Sequence, residues 1–149
     1  VMKAGEILSS EYGIGSDVFS VTSFNELARD GQDAARQNLL QPEAEPRVPY
    51  IANVLGAEPA IAATDYMKNY AEQVRAFIPA ESYAVLGTDG YGRSDSRENL
   101  RTHFEVNRHY VVVATLNELA KRGDVEPSAV TEAISKYEID VNKPNPLFC

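Results

Sequence analysis

Cysteine is almost missing. Cys149 is the only one in 149 residues, so neither an intramolecular disulfide nor a multi-cysteine metal site can form. Long apolar runs are missing too: none approaches the roughly 20 residues that span a bilayer, and the N-terminus carries no signal-peptide pattern. Positive charge is scarce. Lys and Arg number 14 against 22 Asp and Glu, and the formal net charge of −8 excludes a general nucleic-acid surface. Acidity of this kind identifies no partner and mostly maintains solubility. A lone cysteine fits a reducing cytoplasm. What is present is ordinary for one globular domain: 44% apolar and 24% charged residues, on a chain long enough for a single core.

Elements follow from periodicity and punctuation. The opening stretch places Ala4, Ile7 and Leu8 at helical spacing, with Gly13 as its stop, and reads as the end of a helix whose beginning is cut away. Asp17–Thr22 is a short β-rich run and the first expected strand. Ser23-Phe24-Asn25-Glu26 is a capping box, so a helix starts there, weakened at Gly31. Three prolines between Gln41 and Pro49 make that stretch a connection, and Tyr50–Leu55 adds a short helix. Pro59–Ala63 is a second strand. A helix from Thr64 follows, with Met67, Tyr70, Ala71, Val74 and Phe77 as its stripe and Pro79 as its end.

Tyr83–Gly87 is the third expected strand, and Asp95–Glu98 a second capping box that turns Leu100 and Phe104 inward. Asn107 caps a helix burying Val112, Val113, Leu116, Leu119 and Ala120, which Gly123 ends. Pro127 opens a last helix with Val130, Ala133, Ile134 and Tyr137 inward, and the tail 140–149 is expected to be extended. Alternating strands and helices predict an α/β domain: a three-layer αβα sandwich around a mostly parallel sheet. Three strands make it thin, so a further strand is expected before Val1.

The densest polar cluster lies between the third strand and the helix after it, where ligands gather in open α/β sheets. Gly87-Thr88-Asp89-Gly90-Tyr91-Gly92 lacks the Gly-Lys-Ser/Thr ending of a phosphate loop and the spacing of a dinucleotide fingerprint. It reads first as a turn needing positive φ at two glycines, with a local Asp89 bond. Asp89-Gly90 and Asn117 are similar in spacing to the Gly-Asp-Gly…Asn pair that holds magnesium in thiamine diphosphate enzymes. Thr88 replaces the first glycine, however, and Asn117 falls inside a helical pattern. Arg93, Asp95, Arg97 and Arg101 suggest an Arg–Asp network, internal or crossing to another subunit.

Elsewhere the residues read blandly. His103 and His109 are six apart and share no helical face, so surface or cap positions are expected. Ser20, Ser23 and Ser94 have no nucleophile-elbow context. Glu26, Asp30 and Asp33 read as a solvated helix face, Tyr66, Tyr70 and Phe77 as core or interface, and Cys149 as an untuned thiol.

Four stretches together resemble one family: DVFSVTSFNELARDGQDAARQNLLQPEAEPRVPYI, PAIAATDYMKNYAEQVRAFIP, YAVLGTDGYGRSDSRENLRTHFEV and YVVVATLNELAKRGDV. They look like the C-terminal, third domain of the homodimeric bacterial pyruvate dehydrogenase, the decarboxylating first component of its complex. The pattern Gly-x-Asp-x-x-Gly-x-Ser is similar, more distantly, to transketolases. The resemblance implies a transketolase-type domain of residues 1–149 whose first strand is truncated and which two larger domains precede. Those two would hold thiamine diphosphate and magnesium, decarboxylate pyruvate, and pass the acetyl unit to a lipoyl group of the second component. The third domain would mainly support the dimer. No catalytic, cofactor or metal residue of the family has a matching position here. Asp89, Tyr91, Arg93, Ser94, Asp95 and Arg97 are then expected to face a neighbouring domain or subunit. Two alternatives stay open: the third domain of another transketolase-superfamily enzyme, or a free-standing ligand- or protein-binding module.

Overall fold

Residues 1–80 and 82–149 are described by a computed structural model. Its centre is a pair of four-residue strands, β1 (Ala60–Ala63) and β2 (Tyr83–Leu86), running parallel with Ala60 opposite Tyr83 and Ala63 opposite Leu86. Around them stand seven α-helices among the described residues: α1 (Met2–Tyr12), α2 (Phe24–Leu40), α3 (Tyr50–Val54), α4 (Lys68–Glu72), α5 (Arg97–His103), α6 (Arg108–Arg122) and α7 (Pro127–Lys136).

Side chains alternate across a strand, and the alternation divides the interior in two. Ala60, Ala62, Tyr83 and Val85 pack with Ala28 of α2, Ile51 of α3, and Ala71 and Val74 beside β2. Ile61, Ala63 and Leu86 pack on the other face with Ala4 and Leu8 of α1, Val111, Val112 and Leu116 of α6, and Ala133 of α7. A parallel pair needs such cover on both faces.

Local signals act as expected where they depend on neighbours in sequence. Gly13 ends α1 at φ 67° and Gly123 ends α6 at φ 84°, in the left-handed region that favours glycine. Ser23 Oγ accepts from Glu26 N at 3.2 Å, and Asn107 Oδ1 accepts from His109 N and Tyr110 N. Pro127 stands at the start of α7.

Four expectations fail. Asp17–Thr22 is not a strand: the sheet of the described residues has two members, and this run finds no ladder to join, leaving Val18, Phe19 and Val21 exposed. Gly31 does not weaken α2, because a side chain there would overlap the Phe77 ring; the glycine admits the helix to the core. The helix expected from Thr64 starts only at Lys68 and is followed by a separate 3-10 turn at Arg75–Phe77. Thr64 N instead prolongs the sheet, donating to Leu86 O at 3.0 Å, and residues 64–67 form a non-helical link before α4. The tail is not extended throughout, since Pro146–Phe148 form a 3-10 turn that Asn145 caps.

The acidic face of α2 also does more than meet solvent. Asp30 and Asp33 both pair with Arg47, Asp30 accepts from Tyr50 N at 2.6 Å, and Asn38 bonds Arg47 N and O. The proline-rich connection is thereby tied back along its helix.

Candidate functional site

Gly87 leaves β2 with no room to spare: a Cβ there would stand 2.8 Å from both Tyr66 O and Lys68 N. The 64–68 segment is laced to the turn, Thr88 N donating to Tyr66 O at 2.9 Å and Thr88 Oγ1 to Asp65 O at 2.8 Å. Asp89 makes no local bond of the expected kind. Its Oδ1 accepts from Lys68 N at 3.2 Å and its Oδ2 lies 3.9 Å from Lys68 Nζ, so it secures the start of α4. Only Gly90 of the turn needs positive φ, at 107°, not two glycines; a side chain there would overlap the Pro146 carbonyl of the returning tail.

Past the turn, the cap of α5 falls one residue later than the sequence suggests. Ser96 Oγ accepts from Asn99 N at 3.2 Å, while Asp95 Oδ1 accepts from Asn99 Nδ2 at 2.8 Å and Ser96 N at 2.6 Å. Those two bonds, Asn99 foremost, hold the Asp95 carboxyl below its ordinary range. The far end of α5 is clamped by Lys143, whose Nζ donates to His103 O at 2.5 Å and meets Glu105 at 3.1 Å.

Two open hollows flank α5. One of about 380 Å³ is lined by Arg93, Ser94, Asp95, Asn99, Leu100 and His103. The other, of about 550 Å³, shares Arg93, Asp95 and Leu100 and adds Arg97, Arg101 and Phe104. The expected Arg–Asp network is reduced to one bond here, Arg101 to Asp65 at 3.1 Å. Among the described residues the side chains of Arg93 and Arg97 make no ion pair or hydrogen bond. His103 Nε2 is buried without a partner, and its imidazole is pushed below its usual value by desolvation, then by the Arg93 and Lys143 charges. His109 is elsewhere, stacked on Tyr137 at 4.5 Å. Tyr91 projects from the turn, 76% exposed.

Of the six expected interface residues, Arg93, Ser94, Asp95 and Arg97 line this cleft, Tyr91 stands at its edge, and Asp89 is turned inward against α4. Sequence reasoning missed Lys68 and Asp65 as partners of the turn, because both come from the preceding strand's loop. It also left out Arg101 and His103 from that group, although Arg97 and Arg101 at i, i+4 were legible as one helical face.

Asp89 and Asn117 do not fit a magnesium–diphosphate group. Asp89 follows the C-terminal end of β2. Asn117 bonds its neighbour Glu118, and Glu118 bonds Ser82, just before the start of that same strand. The length of β2, at about 3.3 Å a residue, lies between them, whereas two ligands of one magnesium lie within about 2.1 Å of the ion. No group of three or more His, Cys, Asp or Glu among the described residues is placed to hold a metal. No helix among them is long and apolar enough to cross a membrane.

Helices on both faces of a parallel pair, with a polar turn at the strand ends, define an α/β domain. Residues 1–107 match the transketolase-like TK C-terminal domain, and the chain belongs to that family. It is 64% identical over 146 residues to the pyruvate dehydrogenase E1 component of Escherichia coli K12, 98% of this chain and 16% of that protein. Similar matches are the E1 components of Haemophilus influenzae, 58% identical over 99% of this chain and 17% of that protein, and of Pseudomonas aeruginosa, 56% identical over all of it and 17% of that protein. The resemblance expected from the four stretches therefore extends along the whole chain, which spans about a sixth of the curated relatives it matches.

Proposed function

We propose that this chain is the third, transketolase-type domain of a bacterial pyruvate dehydrogenase E1, an acetyl-transferring cytoplasmic enzyme that decarboxylates pyruvate with thiamine diphosphate and magnesium. The parent acts as a homodimer and reductively acetylates the lipoyl group of the complex's second component. These 149 residues contribute no catalytic group. They support the dimer and buttress the domains that hold the cofactor, with the Gly87–Arg101 region turned toward a neighbouring domain or subunit. The observation that carries this reading is the 64% identity to an E1 component over 98% of the chain. The misfit of Asp89 and Asn117 supports placing the cofactor elsewhere.

The test compares the full-length parent with a form ending just before Val1, by sedimentation and by pyruvate-dependent turnover. The intact enzyme sediments as a dimer and turns over; the shortened form loses dimer and activity together. A shortened form that stays dimeric and fully active would overturn the supporting role.

A further inference from the structure

α5 is the one α-helix of the described residues in which no residue is buried. At seven residues it is also well short of the roughly 12–15 that stay helical unaided. Its bond toward the sheet, Arg101 to Asp65, joins two exposed side chains and contributes little. Firmer contacts come from the tail, residues 140–149. Lys143 Nζ donates to Thr102 O at 3.2 Å and to His103 O at 2.5 Å, carbonyls of the last turn of α5. The same ammonium pairs with Glu105 at 3.1 Å and lies 5.6 Å from the centre of the Tyr110 ring. Glu105 stands at φ 62°, a left-handed conformation that residues with a side chain rarely adopt, so the pair holds the residue that ends the helix. Three residues beyond Lys143, Pro146 is buried and its carbonyl occupies the space a side chain at Gly90 would need. The tail is shaped for both contacts: Asp140 accepts from Asn142 N and Lys143 N, and Asn145 caps the 3-10 turn that follows. These two fastenings bracket the hollows. Every residue lining the smaller one, and all but Asp65 and Thr88 of the larger, lies between Gly90 and Val106.

We infer that the tail is a strap that decides whether α5 is folded, and with it whether the two hollows exist. Seated, it fastens the 90–106 segment at both ends, at Gly90 through Pro146 and at the end of α5 through Lys143. Released, it leaves α5 with its own caps and one exposed ion pair. The helix then unwinds while both cores stay intact, since neither core draws on residues 87–106. Local opening of this kind belongs to segments with few buried apolar contacts. Lys143 carries the control, because it makes the strap's charge-assisted bonds to the helix. The inference goes beyond the proposed function and requires no particular occupant of the cleft.

Hydrogen exchange read by mass spectrometry tests the strap on the full-length parent. The forms compared are the unsubstituted enzyme, Lys143→Met, Lys143→Arg, and one from which residues 140–149 are deleted. Methionine keeps the stem and removes the charge and its donors; arginine keeps both. Exchange of the 100–106 amides is expected to quicken about tenfold or more in Lys143→Met, as the loss of one charge-assisted hydrogen bond implies. The deletion should quicken it further, and Lys143→Arg should stay close to the unsubstituted enzyme. The 112–116 amides of α6, in the core, should keep their rates throughout. Three results would overturn the inference. Unchanged 100–106 exchange in the deleted form would show that α5 is held without the tail. A rise at 112–116 in step with 100–106 would show that the tail serves the whole fold. Indistinguishable exchange in Lys143→Met and Lys143→Arg would show that the charge is not the fastening. If the deleted form does not fold, the Met and Arg forms decide alone. None of these readouts is a dimer or a turnover, so a failure here is distinct from a failure of the proposed function.

Discussion

Gly31 lies midway along α2, where helix propensity alone would have alanine stabilise by about 1 kcal/mol. Packing reverses the sign. A methyl group there would overlap the Phe77 ring, and overpacking a filled core costs about 1–3 kcal/mol. Gly31→Ala is therefore expected to lower the midpoint of urea unfolding, with Gly31→Ala/Phe77→Leu recovering part of the loss. Tyr83 gives a pH test at the same scale. Its hydroxyl donates to Ala71 O at 2.8 Å inside the core, and desolvation, then the Glu72 charge, push its pKa up to about 12. A phenol raised in the folded state contributes fully below its unfolded value of about 10 and loses that contribution as pH climbs through the folded value. Unfolding free energy should fall between pH 10 and about 12. Tyr83→Phe should flatten that fall at a cost near neutrality of about 1 kcal/mol for the lost bond.

Among the elements, what was legible in the sequence was what neighbours in sequence decide. The caps at Ser23 and Asn107, the stops at Gly13 and Gly123, and the start at Pro127 need only residues within a turn of each other. The two paired strands were legible from their apolar runs. What depends on distant backbone was not. Asp17–Thr22 has strand composition but no neighbour, and Thr64 has a helix behind it but a sheet bond to keep. The Asp30–Arg47–Asp33 clamp joins residues 14 and 17 apart, which no period relates. The cleft was half legible: its arginines stood in the motif, while the tail over Gly90 and the 64–68 segment under Gly87 had no signal.

Asp89 tests how that turn is built. Asp89→Ala removes the acceptor of Lys68 N and should speed hydrogen exchange at the Lys68 amide while lowering stability by about 1 kcal/mol. Asp89→Asn, which keeps a carbonyl oxygen in place, should retain most of the protection. Equal exchange in both variants would show that the charge near Lys68 Nζ, and not the hydrogen bond, holds α4 to the turn.

At the scale of the molecule, two cores back a two-stranded sheet, and polar groups of residues 89–101 line open hollows beyond its C-terminal edge. Family membership and 64% identity to an E1 component over 98% of the chain join that geometry to an enzyme about six times longer. The Asp89–Asn117 pair, the feature most suggestive of a cofactor in the sequence, is divided by the length of β2. The central claim is that the segment serves this enzyme without holding its cofactor. Titration calorimetry of thiamine diphosphate with magnesium into this chain tests it most directly. The account predicts no heat beyond dilution, and saturable binding would contradict it.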